Sequence, residues 1–247
     1  ELKDLCGSLQ QTLHLLPEDT LVGLITFGTL VHVYELGFQE CSKSYVFRGE
    51  KEYQPQKVQE MLGVAPARIG GQQAGPSGRT GSRQPAIGRF LMSVSDCTFA
   101  LEQILEDLQK DPWPSPPGER AARCTGTALS VAMGLIESSI VGKQGSRLLL
   151  FTAGPPTIGE GIIVGRSRKE NIRSHIELSK NQAPHNKKGI EYYTKLSDKA
   201  ISLSCTVDIF SCALDQVGVL EYKPLVARTG GAIVLADSFG QSVFCES

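Results

Sequence analysis

Cys205-Thr-Val-Asp-Ile-Phe-Ser211 and Gly231-Ala-Ile-Val-Leu-Ala236 are short runs, apolar on both faces, each preceded by a helix-compatible stretch at 190–203 and 221–228. A strand reads this way when helix layers cover both of its sides, as in a parallel sheet. Arg147-Leu-Leu-Leu-Phe-Thr152 follows the helical stretch 128–139 in the same manner. Helix and strand alternating is the βαβ signature, and right-handed crossovers then put helices on both faces of one twisted sheet. The expected fold class is α/β, with a twisted, mostly parallel sheet.

Upstream, Leu2, Leu5, Leu9, Leu13 and Leu16 recur at three- and four-residue steps, predicting an opening helix that Pro17 ends. Leu21-Val-Gly-Leu-Ile-Thr-Phe27 reads as a buried central strand. Val31-His-Val-Tyr-Glu-Leu36 follows after so short a turn that an antiparallel hairpin is expected, and Tyr45-Val-Phe-Arg48 reads as an edge strand. Residues 55–62 suit a helix opened by Pro55 and closed by Gly63, and Leu101, Ile104, Leu105 and Leu108 line the face of another. Between them, residues 64–88 carry six glycines and three prolines and too few apolar groups to repay ordering the backbone. They read as a flexible Gly/Pro-rich insertion within one domain spanning 1–247.

The composition excludes several classes. The chain has 247 residues, 40% hydrophobic and 21% charged, with a net charge of −1. No apolar run approaches the roughly 20 residues a membrane span needs, and the neutral balance gives no global pull toward nucleic acid. Seven scattered cysteines without a C-x-x-C pair or zinc spacing read as reduced cytosolic thiols. The chain opens at Glu1 in mid-helix without an initiator methionine, and is expected to be an internal piece of a longer protein.

Ligands of open α/β sheets sit beyond the carboxyl ends of the strands. The strand ending at Thr152 runs into Ala153-Gly-Pro-Pro-Thr-Ile-Gly-Glu-Gly161, which offers no carboxylate before Glu160, whereas magnesium needs convergent oxygen ligands. Gly159-x-Gly161-x-x-x-Gly165 has the wrong spacing for a dinucleotide loop and reads as a glycine-rich surface turn; the P-loop pattern is absent. Thr125 and Thr127 open a helix, where capping is the plain reading and an oxygen ligand or partner contact the sharper one. His14, His32, His175 and His185 lie apart, Asp208 sits inside a strand, and Asp215 reads as a turn former.

One region is charged in an organised way. From 166 to 199 there are nine Lys/Arg against four acids, a surplus of five positive charges in a neutral chain. A solvated helix face is the plain reading; the functional one is docking to an acidic protein or anionic membrane through Arg166, Arg168, Lys169, Lys187 and Lys188. Only Tyr192 and Tyr193 are available for stacking on bases, so no nucleic-acid partner is expected.

Six strings go beyond generic patterning: Leu15-Leu-Pro-Glu-Asp-Thr-Leu-Val-Gly-Leu-Ile-Thr-Phe-Gly28, His32-Val-Tyr-Glu-Leu-Gly37, Ser42-Lys-Ser-Tyr-Val-Phe-Arg-Gly49, Leu108-Gln-Lys-Asp-Pro-Trp-Pro114, Cys212-Ala-Leu-Asp-Gln-Val-Gly218 and Ala236-Asp-Ser-Phe-Gly-Gln-Ser-Val-Phe244. In this order they closely resemble the trunk domain of the GTPase-activating subunit of the COPII inner coat. The Tyr-Val-Phe-Arg-Gly and Asp-Pro-Trp-Pro elements separate that subunit from its cargo-binding sister.

The resemblance implies a von Willebrand A-like fold whose first strand lies before Glu1. It implies a cytoplasmic coat subunit, peripheral on the endoplasmic reticulum membrane, acting in transport to the Golgi. The implied partners are the cargo-binding inner-coat subunit, a Sar-family GTPase and, through other regions, the outer-coat subunits. The family's catalytic arginine lies C-terminal to this segment and its zinc module N-terminal, so no active site and no cofactor are expected within the chain. In metal-binding relatives of the fold a threonine, matched by Thr125 or Thr127, joins an aspartate after a central strand; Thr152-Ala153-Gly154 stands where that aspartate would be. The alternative is a metal-dependent ligand-binding domain of the same fold, and a third reading is a small α/β hydrolase or nucleotide enzyme, against which the missing nucleophile and phosphate motifs argue.

Overall fold

Strands β6 (Ser146–Thr152), β7 (Cys205–Cys212) and β8 (Ile233–Ala236) lie parallel in that order in the computed structural model, which describes residues 1–38, 40–64, 85–139, 145–241 and 244. Leu150 stands opposite Ile209, and Phe210 opposite Val234. The alternation read from sequence is borne out here: α6 (Asn186–Ser202) precedes β7 and α7 (Val219–Thr229) precedes β8. Side chains alternate across a strand, and each face has its own cluster. Leu150, Val207 and Ile209 meet Tyr193 and Leu196 of α6, Tyr222 and Leu225 of α7, and Leu129 and Met133 of α4 (Thr125–Ser139). On the other face Phe151, Phe210 and Cys212 meet Phe239, Phe244 and Leu5 of α1 (Leu2–Leu13). Helices thus contribute to both faces of this parallel half.

The N-terminal half is antiparallel. β2 (Ile25–Phe27), β3 (Leu30–Tyr34) and β4 (Ser44–Arg48) form a three-stranded sheet in chain order, the expected hairpin plus an edge strand. The run 21–27 is not one buried central strand. It breaks at Gly23, where the backbone of 90–91 passes so closely that an added Cβ would lie 2.9 Å from Phe90 O. β1 (Leu21–Val22) instead pairs with β5 (Met92–Ser93), β2 has only β3 beside it among the described residues, and Leu21 is 45% exposed. The run is apolar on both sides because two clusters flank it: Val22 and Leu24 pack beside Leu36, Leu101 and Ile104, whereas Ile25 and Phe27 pack beside Val31, Phe47 and Val131.

α1 stops at Leu13, short of Pro17. α2 (Pro55–Leu62) has the expected limits, with Gly63 left-handed at φ 65° and its amide donating to Glu60 O. α3 (Val94–Asp107) carries Leu101, Ile104 and Leu105 inward. α5 (His175–Ser179) was not foreseen, although Ser174 and Glu177 form a capping box, a signal legible in Ser-x-x-Glu. Most of the Gly/Pro-rich insertion, 65–84, lies outside the described residues. Its margins are structural: Val64 and Ala86 are buried in the same cluster, and Ala86 O accepts from the amides of Arg89, Phe90 and Leu91.

α4 joins the two halves. Eleven of its fifteen residues are buried, with Ala128, Val131 and Leu135 in the cluster of the antiparallel sheet and Leu129 and Met133 in that of the parallel one. Cys6, Cys97, Cys124, Cys205 and Cys212 are buried free thiols and Cys41 is exposed and free; Cys245 lies outside the described residues.

Candidate functional site

Beyond the carboxyl end of β6 the chain makes a strap, 153–164, that folds back under α4 and α6. Thr157 anchors it: its amide donates to Arg123 O at 3.0 Å, its hydroxyl donates to Ala121 O at 2.8 Å, and the same hydroxyl accepts from Arg123 N at 2.9 Å. The glycines of this strap flank a turn at 160–161 whose tip, Glu160, is exposed, as expected, but the segment on either side is drawn into the protein. Gly161 and residues 154–158 are buried, and an added Cβ at Gly159 would lie 2.3 Å from Gly49 O. Gly159, at φ 75°, meets the backbone of Gly49, and Gly161, at φ 70°, meets the Tyr192 and Tyr193 rings, so neither position has room or backbone freedom for a side chain.

The start of α4 sits against this strap. Cys124 N donates to Gly28 O at 3.1 Å, Thr127 Oγ1 to Gly49 O at 2.7 Å, and Tyr192 OH to Gly126 O at 2.9 Å. Thr127 therefore clasps the antiparallel sheet rather than facing a ligand. Thr125 is fully buried near the Tyr222 phenol, whose pKa burial raises. Arg123 is the cation of this corner. A methyl group at Gly154 would lie 2.8 Å from its Nη1, and its Nη2 reaches Ala153 O at 3.4 Å. Burial lowers the Arg123 pKa. Nothing in the sequence patterning singles Arg123 out, since a lone arginine before Cys-Thr-Gly-Thr belongs to no motif.

At the ends of β7 and β8, in front of α7, lies a groove of about 320 Å³ lined by Arg173, Ser211, Asp215, Leu220, Leu235 and Asp237, among others. Arg173 is buried against the fully buried Glu221, with 2.5 Å between Nη2 and Oε2, and it also donates to Gln216 Oε1 at 2.8 Å. Asn186 Nδ2 holds the other Glu221 oxygen at 2.8 Å. Asp215 is a turn former, accepting from the Gln216 amide at 2.7 Å. Asp208 faces away from the groove. Burial alone would raise its pKa, but hydrogen bonds from Arg147 and from the Ala232 amide outweigh this and lower it.

The basic stretch divides in two. Arg173 is an internal ion pair rather than surface charge, and Lys199 is half-buried near Glu137. Arg166 is tied to Glu119 at 2.8 Å. Arg168, Lys169, Lys187 and Lys188 are exposed. His185 Nε2 lies 3.3 Å from Glu170 Oε1, which holds the loop bearing Arg168 and Lys169 against the start of α6, where Lys187 and Lys188 lie. The two groups of cations therefore share one side of the molecule. His14 stands 3.2 Å from Glu102 and takes no part in this surface.

This arrangement of sheets and helices is found in solved proteins. The crystal structure of the human COPII-coat protein Sec24c is similar to it with a TM-score of 0.59 at 18% identity, over 95% of this chain and 27% of that one. The chain therefore spans about a quarter of the length of the solved structure it matches. The family of the Sec23/Sec24 trunk domain matches residues 1–247. The chain belongs to that family.

For a Sec23/Sec24 trunk domain the parallel half is the expected von Willebrand A-like core, with Arg123 at the carboxyl end of β6. Among the described residues of this trunk domain no helix is long and apolar enough to cross a membrane. Asp111 and Gly49 both approach the turn at Thr29, whose carbonyl oxygen would lie 2.4 Å from a Cβ at Gly49. Asp111 Oδ2 accepts from Thr29 N at 2.5 Å, and a Cβ at Gly49 would lie 2.8 Å from Cys124 Sγ.

Proposed function

We propose that this trunk domain comes from the GTPase-activating subunit of the COPII inner coat, and that it serves endoplasmic reticulum to Golgi transport as a scaffold without an active site of its own. The observation that supports this reading is the Asp111 contact to Gly28-Thr29: Asp-Pro-Trp-Pro is, with Tyr-Val-Phe-Arg-Gly, one of the two strings by which the chain resembles the GTPase-activating subunit rather than its sister, and its aspartate braces the hairpin. In this reading the trunk pairs with the cargo-binding subunit and docks a Sar-family GTPase, while other regions of the whole protein reach the outer coat. Arg168, Lys169, Lys187 and Lys188, with Arg166 at their margin, form the docking surface for an anionic partner or for the membrane on its cytoplasmic side.

Arg123 supports a role in protein contact rather than metal-dependent binding. A guanidinium beside Gly154 puts positive charge where metal-binding relatives place an acid, and such a charge repels a divalent ion. No cofactor is assigned to this segment; the zinc of the family belongs to a module N-terminal to it.

The test is single-turnover GTP hydrolysis by a Sar-family GTPase with this chain titrated in. A trans-acting arginine accelerates such GTPases by about 10³ to 10⁵. The expected result is binding without acceleration, while the full subunit stimulates. Stimulation within tenfold of the full subunit would place a catalytic group inside the chain and end the scaffold reading.

A further inference from the structure

β8 has β7 on one side and, among the described residues, no strand on the other. Its run Ile233-Val-Leu-Ala236 carries no charge, proline or bulge, the devices by which exposed sheet edges are shielded from pairing. Leu235 is 55% exposed and sits beside the groove at the ends of β7 and β8. Ser211, its neighbour across the pair, is 1% exposed, yet its Oγ has no hydrogen-bond partner and lines the groove. A buried hydroxyl without a partner is destabilising, so a ligand group that completes it gains. The positive charge of Arg173 is already matched by Glu221. The exposed charges left at the rim are the carboxylates of Asp215 and Asp237.

We propose that the β8 edge and this groove are a docking site for an extended segment of a partner protein, in which an apolar residue stands two positions from a lysine or arginine. Added strands bind through main-chain hydrogen bonds, and alternate side chains carry the specificity. Residues two apart fall on the same face, roughly 6.6 Å apart along the strand. The apolar side chain seats between Leu220 and Leu235, and the cation two positions away meets Asp215 and Asp237. The acidic rim selects a basic segment over an acidic one. This inference does not rest on the coat reading.

The probe is the labelled peptide Thr-Leu-Thr-Lys-Thr-Leu-Thr-Lys-Thr, titrated against the intact 247-residue chain by fluorescence polarisation. Saturable binding is expected, weakened at least tenfold when glutamate replaces both lysines of the peptide and abolished when alternate peptide amides are N-methylated. Both comparisons use the unaltered chain, so misfolding cannot mimic them. Asp215→Lys with Asp237→Lys should weaken the lysine peptide at least tenfold while the thermal transition is kept. Equal binding of the glutamate peptide, indifference to N-methylation, or no saturation at millimolar peptide would overturn the proposal. So would a concentration-dependent dimer removed by Leu235→Lys, which would put a second copy of the chain on the edge.

Discussion

Arg89 Nε donates to Glu35 Oε1 at 2.6 Å across 54 residues of sequence, binding the end of the first hairpin to the segment that follows the Gly/Pro-rich insertion. Lys43 Nζ lies 2.7 Å from the other oxygen of the same carboxylate. Burial by itself would raise the Glu35 pKa, but the hydrogen bonds from Arg89 and Lys43 outweigh it and bring it from 4.5 down to about 2.

Glu35→Gln is accordingly expected to cost roughly 3 kcal/mol at neutral pH, because it leaves the Arg89 guanidinium with only the neutral acceptors Leu62 O and Tyr45 OH. The folded-state pKa is depressed, so the carboxylate contributes its full stability above the unfolded value of 4.5 and loses it as pH falls toward about 2. Urea unfolding of both proteins should show a gap at pH 6 that narrows at pH 3. A gap independent of pH would mean the carboxylate's charge is not what stabilises this joint.

The insertion should behave differently from its margins. Replacing 65–84 by a six-residue Gly/Ser linker is expected to leave the thermal midpoint almost unchanged, since the segment carries few apolar groups and closure entropy changes by only about 0.6 kcal/mol per doubling of length. Extending the deletion through Ala86 to Gly88 removes a buried side chain and a carbonyl that holds three amides. Differential scanning calorimetry should then show a lower, less cooperative transition.

Two glycines on helices should respond with opposite signs. Gly7 in α1 has open space where a Cβ would go, so Gly7→Ala should stabilise by about 0.5–1 kcal/mol through helix propensity. At Gly126 a Cβ would lie 2.1 Å from Glu160 O, a backbone atom that cannot swing aside. Gly126→Ala should therefore destabilise by about 1–3 kcal/mol or more. Chemical denaturation of both variants checks the pair, and an unchanged midpoint for Gly126→Ala would show that the strap moves freely.

Lys187→Glu with Lys188→Glu should weaken sedimentation with phosphatidylserine-rich vesicles at least tenfold at 50 mM salt, and much less at 300 mM, where screening is stronger. Both side chains are exposed, so the thermal transition should not shift. Binding that is unaffected at low salt would take these two lysines out of the docking surface.

The parallel half of the fold was legible because β7 and α7 are buried in the pattern their sequences announce, and α2 because Pro55 and Gly63 mark its ends chemically. Leu21–Phe27 misled because an apolar run records which clusters touch it and not how many strands flank it. The net positive charge of 166–199 was legible, but the internal use of Arg173 was not, since its partner Glu221 lies 48 residues away on α7. Arg123 and Ser211 gave no sequence signal; Arg123 matters through the backbone at 153–154 that folding brings beside it, and Ser211 through the groove it lines.

α4 has almost no free side, and this constrains how the sequence can drift over generations. A Cβ at Gly134 would lie 3.0 Å from Val58 Cβ on α2, while Leu129 and Met133 are committed to the parallel sheet and Thr127 to the loop after β4. A larger residue at 134 becomes admissible only after a smaller one at 58, so the order in which such replacements arise matters as much as their identity. Lineages of this domain are therefore expected to diverge quickly at exposed lysines such as Lys187 and slowly, in coupled pairs, along α4.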